Sequence, residues 1–163
     1  MLEFIIAAKF FTRRTLNIDT IVTTFTPLWR SKNGFKVKNM GNHVVLFTFD
    51  NKLKVDNILL NEPWSFDKYL MVLRQYDTDM SLDDLPFNLA SFWVQVHGIP
   101  VRFMNQRVVE GICGTIGQVI QPSKTEEEGG SFLRVRIKLD VTRSLSRGCI
   151  VAMGPKKKNN GCP

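Results

Sequence analysis

The sequence is poor in the residues that form disulfide bonds or hold metal ions. Its three cysteines, Cys113, Cys149 and Cys162, are odd in number and widely spaced, so we expect a reducing compartment and no disulfide bonds. Cys113 lies in an apolar pattern, which predicts a buried thiol. Neither of the two histidines, His43 and His97, lies at metal-ligand spacing from a cysteine. We therefore expect no metal ion and no cofactor.

Long hydrophobic runs are also missing. No apolar stretch approaches the ~20 residues that a membrane-spanning helix needs. Residues 1–11 include Glu3 and have no basic leader before their apolar core. These features predict neither secretion nor membrane insertion, and we expect a protein of the nucleus or cytoplasm.

Catalytic motifs are absent as well. There is no glycine-rich phosphate loop, and no serine, histidine and acid, or cysteine and histidine, form a nucleophilic set. A metal-dependent nuclease would need a carboxylate cluster, for which Asp79, Asp83 and Asp84 are the local candidates. A short polar linker explains these three acids better, so the sequence predicts a protein that is not an enzyme.

Positive charge and apolar side chains are plentiful. Twenty-two Lys and Arg against fifteen acids give a formal charge of +7, which favours an anionic partner such as nucleic acid or an acidic membrane surface. A generic basic surface that prevents self-association would give the same composition. The chain is 44% apolar and has twelve Phe, enough to bury a core.

Periodicity in the first half predicts the order βαββαβ. The predicted elements are a strand at 2–12, a helix at 18–29 after an Asn17 cap, a hairpin of strands Phe35–Asn39 and His43–Phe49, a helix at 53–59, and a strand at Tyr69–Asp77. Pro27 should bend or end the first helix. This order is the split βαβ, or ferredoxin-like, arrangement of RNA-recognition modules, with both helices on one face of the sheet.

The strand NHVVLFTF predicts a sheet with no aromatic platform. Its two faces carry different residues: Val45, Phe47 and Phe49 on one, and Val44, Leu46 and Thr48 on the other. If the Phe face is the core, the outer face is aliphatic and is not expected to stay in water. We infer that something covers it, and the second half is the obvious cover, through Trp93 or Phe92.

The second half begins a partial repeat. After an acidic joint, FWVQVHGIP predicts a strand, followed by a helix over about 105–116, a strand at 118–120 and the segment SFLRVRIKLDV. Too little chain remains for a second helix and a last strand. The predicted organisation is an RRM-like unit at 1–78, a linker at 79–90, a partial βαβ repeat at 91–153 packed on the first unit, and a flexible basic tail at 154–163.

The segment RVRIK is the candidate phosphate-binding strand. Alternation puts Arg134, Arg136 and Lys138 on one strand face at a spacing of about 7 Å, close to the phosphate repeat of a single strand. An ordinary solvated edge strand, protected by cations from mispairing, is the alternative. The other predicted nucleic-acid-binding residues are Lys36, Lys38, Lys156, Lys157 and Lys158 for phosphates, and Trp93 or Phe103 for base stacking.

The segments EPWSFDKYLMVL and FWVQVHGIP, supported by GNHVVLFTF, closely resemble the plant domain of unknown function 4283, over about residues 10–151. The resemblance implies a retrotransposon-derived, LINE-type Gag-like protein, whose RNA-recognition-like front half usually precedes a CCHC zinc knuckle. It also implies nucleic-acid binding or packaging rather than catalysis. This chain ends in KKKNNGCP where the family continues into the knuckle, and Cys162 cannot supply a CCHC site alone.

The sequence thus predicts an α+β protein that binds single-stranded RNA or DNA weakly and without sequence preference, and that does not bind membranes. The alternative is a protein-interaction or self-association module without affinity for nucleic acid. Salt dependence separates the two, since phosphate contacts weaken with salt and an apolar interface weakens little.

Overall fold

The structure is a computed structural model that describes residues 2–124 and 133–143, with the backbone alone at 121–124 and 133. Over these residues the chain is an α+β protein with three α-helices and two antiparallel sheets, as the sequence predicts. The chain divides into two compact units, residues 1–90 and 91–163.

The first unit contains a five-stranded sheet in the order β2-β3-β1-β5-β4. Its elements are β1 (Phe4–Phe10), α1 (Ile18–Leu28), β2 (Lys36–Gly41), β3 (Val44–Phe49), α2 (Lys52–Leu60), β4 (Trp64–Phe66) and β5 (Tyr69–Tyr76). The central strand β1 runs antiparallel to both β3 and β5.

An asparagine side chain caps each of the two helices, as was predicted for Asn17. The side chain of Asn17 accepts a hydrogen bond from the Thr20 backbone N–H at 3.1 Å, and Asn51 accepts one from the Leu53 N–H at 2.8 Å. Each cap satisfies a backbone donor that has no partner within its helix. Pro27 lies in the last turn of α1, which ends one residue later at Leu28.

The core of the first unit lies between the helices and one sheet face. It contains Ile6, Ala8, Phe10, Ile21, Phe25, Trp29, Val45, Phe47, Phe49, Val55, Ile58, Met71 and Leu73. The predicted parity of β3 is therefore confirmed: its Val-Phe-Phe face is buried against both helices. The ring of Phe47 is near the centre, with the Trp29 ring 4.9 Å away and the Phe25 ring 6.2 Å away, centroid to centroid.

Two-residue turns connect the strands of two hairpins, one of which was not predicted from the sequence. Between β2 and β3, Asn42 and His43 have φ of 53° and 62°, the left-handed conformation that such turns need. The same conformation at Asp67 and Lys68, with φ of 50° and 68°, joins β4 to β5. Strand β4 was not predicted because it is three residues long and its turn contains no glycine.

Residues of the predicted linker cover part of the outer sheet face. Leu85 is buried against Ala7 and Leu46, and Leu82 and Phe87 pack on the same cluster. A 3₁₀ turn at Leu82–Asp84 shapes this segment. The expectation that the aliphatic face is covered is confirmed around Ala7 and Leu46, where the cover is the chain that follows β5. Cover by Trp93 or Phe92 stays a prediction.

Replacing Leu85 with alanine tests this cover. Leu85 is 6% exposed, and truncation of a buried leucine lowers the free energy of unfolding by about 2–5 kcal/mol. Because a short segment can collapse onto the gap, we expect a value near the low end, measured by urea denaturation. Leu53→Ala is the control: that side chain is 72% exposed, so the loss should stay below about 0.5 kcal/mol. Equal losses for both variants would contradict the packing role of Leu85.

The second unit holds a three-stranded sheet in the order β6-β8-β7. Its elements are β6 (Leu89–Val96), which begins at the unit boundary, α3 (Gln106–Cys113), β7 (Gln118–Lys124) and β8 (Leu133–Asp140). The Asn105 side chain caps α3 by accepting from the Val108 N–H at 3.0 Å. The helix stops three residues before the predicted 116 because the N–H groups of Thr115 and Ile116 donate to carbonyls three residues back, at Ile112 and Cys113, which tightens the chain into turns.

Candidate nucleic-acid interface

The strand β8 separates apolar from basic side chains, as its alternation predicts. Val135 and Ile137 are fully buried against Val109 and Cys113 of α3. Arg134, Arg136 and Lys138 have the opposite parity, which places them on the sheet face away from the helix. The predicted burial of the Cys113 thiol is confirmed as well, at 1% exposed.

The exposure of these cations differs from the prediction. Arg136 is only 3% exposed, while Arg134 and Lys138 are half-buried. The guanidinium carbons of Arg134 and Arg136 lie 5.2 and 5.4 Å from the centre of the Trp93 ring on β6. Arginine stacks on indole because its planar charge is attracted to the ring and is weakly hydrated. Arg136 is therefore a packed residue rather than a freely accessible cation.

The position of β8 in its sheet removes one explanation of the cations. Edge strands use Lys and Arg to prevent pairing with other chains. In the order β6-β8-β7, however, β8 is the central strand. The interpretation of RVRIK as a protected edge strand is wrong, and the basic face needs another explanation.

One carboxylate shares the parity of the basic residues in β8. Asp140 ends the strand, and hydrogen bonds from the Thr142 hydroxyl and backbone N–H, together with the charge of Arg143, lower its pKa. Its Oδ2 lies 3.7 Å from Nε of Arg143. Asp140 is thus ionised at neutral pH and is paired beyond the strand end, away from Arg134.

The two predicted stacking rings both contact arginine. Trp93 has the guanidinium groups of β8 against it, and Phe103, in a 3₁₀ turn at Val101–Phe103, has the guanidinium carbon of Arg102 at 4.7 Å from its centre. Both rings are partly buried. Each ring thus has a guanidinium group beside it, and neither ring is fully exposed.

The first unit has a basic face of its own. Lys36 and Lys38 are exposed on β2, opposite Thr48 and Leu46 of β3, so they lie on the face away from the helices. Lys36 makes a long ion pair of 3.9 Å with the exposed Glu3. The register of β1 and β5 adds Lys9 and Arg74, which sequence reasoning missed.

Alternation around Ile6, Ala8 and Phe10 was the signal that would have placed Lys9 on this face. The remaining predicted residues, Lys156, Lys157 and Lys158, lie outside the described residues, as do Cys149 and Cys162.

The described residues offer neither a metal cluster nor a membrane-spanning helix. No group of three or more His, Cys, Asp or Glu is placed to hold a metal ion among residues 2–124 and 133–143. In the same part of the chain, no helix has the length and apolarity needed to span a bilayer.

In the comparison with known proteins, the match that was found lies within the first unit. No curated protein and no solved structure shows significant similarity. A family model, described as a domain of unknown function (DUF4283), matches residues 2–84. The matched segment holds β1 to β5 and the 3₁₀ turn after them, whereas FWVQVHGIP lies beyond it. Since these 83 of 163 residues are more than half of the sequence, the chain belongs to the DUF4283 family.

Proposed function

We propose that the protein binds single-stranded RNA or DNA through phosphate contacts, without strong sequence preference. The observation that carries this proposal is the charge on the first sheet. In its described strands, the face opposite the helices carries Lys9, Lys36, Lys38 and Arg74 and no carboxylate. A positively charged surface attracts a polyanion, and each phosphate that the protein neutralises releases counterions.

The topology supports the same proposal. The strand order β2-β3-β1-β5, with both helices on one face, supports assignment to the split βαβ arrangement used by RNA-recognition modules. Such modules stack bases on aromatic residues of the open face, but here Leu82, Leu85 and Phe87 cover part of that face. Phosphate contact without base readout fits this geometry better.

The second unit supplies a complementary element. Arg134 and Lys138 are half-buried on the basic face of β8, and Arg134 is stacked on Trp93. Stacking restrains a long side chain before the ligand arrives, so less conformational entropy is lost on binding. We therefore assign phosphate contact to Arg134 and Lys138, and a positioning role to Arg136 and Trp93.

Fluorescence anisotropy of a labelled strand of ~20 nucleotides tests this function. For single strands the logarithm of affinity falls with the logarithm of salt by about 0.7 per phosphate contact, so Arg134→Gln with Lys138→Gln should reduce the slope by about 1.4. The double variant spares buried Arg136 and should fold normally.

The matched control is Lys32→Gln with Lys52→Gln, which removes the same charge from exposed positions outside the strands. It should leave the salt slope unchanged. Equal slopes for the parent and both variants would contradict the assignment of Arg134 and Lys138, and no binding at low salt would contradict the function itself.

A protein-interaction module is the second candidate. Leu53 and Leu60 lie seven residues apart on α2, which puts them on one side of the helix, and they are 72% and 59% exposed. Exposed leucines on one side of a helix are typical of surfaces on which a partner docks. Absence of nucleic-acid binding together with a mass that rises with protein concentration, and falls back in Leu53→Lys, would favour this candidate.

From the resemblance alone, we further propose a retroelement-derived, Gag-like origin for the chain. The family match over residues 2–84 supports the resemblance on which this proposal rests.

A further inference from the structure

An open cleft of about 750 Å³ lies at the end of β1, where the β1–α1 loop passes the turn between β2 and β3. Its lining includes Lys9, Arg13, Arg14, His43 and Tyr69, together with Phe10 and Phe11. All of these residues belong to the first unit, and the cleft is distinct from the basic face around Trp93.

Hydrogen bonds hold the walls of this cleft together. The Phe10 N–H donates to the His43 carbonyl and the Phe11 N–H to the Leu70 carbonyl, both at 2.9 Å. The imidazole Nε2 of His43 lies 3.0 Å from the Arg14 carbonyl oxygen, to which it donates. The turn and the loop are therefore tied to each other, and the cleft is formed before any ligand enters.

The cleft keeps a net positive charge after its internal pairing. Arg14 pairs with Asp67 at 3.1 Å. Arg13 is exposed and Lys9 is half-buried, and neither forms an ion pair within the described part of the chain. Two cations thus line one cleft with no carboxylate beside them, an arrangement that suits an anion with several oxygens, such as a phosphate.

A second cleft of about 410 Å³ adjoins the first and has a different lining. Tyr69 and Arg14 border both clefts. Besides the apolar Leu16 and Phe66, its lining includes hydroxyl, amide and carboxylate side chains: Thr12, Thr15, Asn17, Thr20, Thr24, Ser65 and Asp67. Groups of this kind hydrogen-bond sugar hydroxyls and base edges rather than phosphates.

The ring between the clefts is available for stacking. Tyr69 is 38% exposed, and the guanidinium carbon of Arg14 lies 6.0 Å from the centre of its ring. The same guanidinium pairs with Asp67, so a cation lies beside the exposed ring. An exposed aromatic ring beside cations is the combination that binds a base next to its phosphate.

We propose that these adjoining clefts bind one nucleotide, with its phosphate at Lys9 and Arg13, its base on Tyr69, and its sugar against the hydroxyl-lined cleft. Each cleft volume falls within the range of about 300–1,000 Å³ that is usual for small-molecule sites. A free mononucleotide and one nucleotide of a single strand share this chemistry. The site shares Lys9 with the basic face of the first sheet, whereas Arg13 and Tyr69 do not belong to that face, so variants of these two residues test the site separately.

The test is a titration of the whole, ¹⁵N-labelled protein followed by its amide NMR signals, with AMP, adenosine and inorganic phosphate as separate probes. AMP should shift signals of residues 9–15, 42–43 and 65–69, and should bind at least about tenfold more tightly than either part alone, since stacking and phosphate contacts add. The nucleotide site would be overturned if inorganic phosphate bound as tightly as AMP. It would also be overturned if AMP shifted the amide signals of other residues only.

Two variants test the phosphate contact and the base-stacking contact separately. Arg13→Gln and Tyr69→Leu should each weaken AMP binding about tenfold, within the range of about 1–3 kcal/mol per stacked base for the tyrosine. Only Arg13→Gln should weaken binding of inorganic phosphate. Both side chains are exposed, so both variants should fold, and Lys52→Gln is the matched charge control. Unchanged AMP affinity in both variants would overturn the proposal.

A dinucleotide distinguishes the two sources of the ligand. Tighter binding than AMP at the same signals identifies a nucleotide within a strand, and equal binding identifies a free mononucleotide. The variant Arg134→Gln with Lys138→Gln should bind AMP normally, so failure of the basic strand face and failure of this cleft can be told apart.

Discussion

Replacing Phe47 with alanine is expected to lower the free energy of unfolding of the first unit by about 3–5 kcal/mol. Phe47 is fully buried in β3, and its ring packs edge-on against Trp29, Phe25 and Phe35. Truncation removes the apolar contacts and several edge-to-face ring pairs at once. Single domains are typically stable by about 5–15 kcal/mol, so the variant should be close to unfolding at room temperature.

Urea denaturation followed by circular dichroism measures this loss, and the midpoint should fall by about 2 M given typical slopes of about 1–3 kcal/mol per molar. Thr48→Ala is the matched control, since Thr48 is the next residue of β3 and points to the other sheet face. It should change stability by less than about 1 kcal/mol. A large loss for Thr48→Ala with a small one for Phe47→Ala would show that the register of β3 is wrong.

A methyl group at Gly117 is expected to disturb the second unit. A Cβ atom there would lie 2.6 Å from the carbonyl oxygen of Lys138 and 3.0 Å from Cδ2 of Leu139. The first contact is with backbone, so the chain at Gly117, just before β7, must move away from β8. We expect Gly117→Ala to cost about 1–3 kcal/mol, the usual loss on overpacking, and to shift the amide signals of Lys138 and its neighbours.

Gly111→Ala in the same unit should act in the opposite direction. Gly111 lies inside α3, and a Cβ atom there meets nothing within 4 Å. Alanine in a helix interior should therefore stabilise by about 0.5–1 kcal/mol. Thermal denaturation of the two variants under identical conditions shows whether each substitution raises or lowers the stability of the protein. Destabilisation by Gly111→Ala would contradict the helix, and a neutral Gly117→Ala would contradict the close approach of Gly117 to β8.

The sequence predicts most of the first sheet because local chemistry decides it. Asn17 and Asn51 cap the helices, and the alternation of Val45, Phe47 and Phe49 specifies the buried face. Strand β4 depends on pairing with β5, which no local pattern records. The contribution of Leu85 to the cover likewise depends on where the chain returns after β5, and this is a tertiary contact.

The candidate site, too, was predictable from the sequence only in part. The shared face of Arg134, Arg136 and Lys138 follows from the period of two in a strand. The burial of Arg136 does not, because it needs Trp93 on a neighbouring strand. The cleft of Lys9, Arg13 and Tyr69 joins residues up to sixty positions apart, so only the strand register brings them together.

The surroundings of the three tryptophans give the protein built-in optical probes. The indole N–H of Trp29 is buried and has no hydrogen-bond partner within the described chain, while that of Trp64 donates to the Ile58 carbonyl at 2.8 Å. Trp93 instead lies beside two guanidinium groups in the second unit. Indole emission responds to the polarity of its surroundings, so versions of the chain that keep one tryptophan would emit at different wavelengths and follow each half separately.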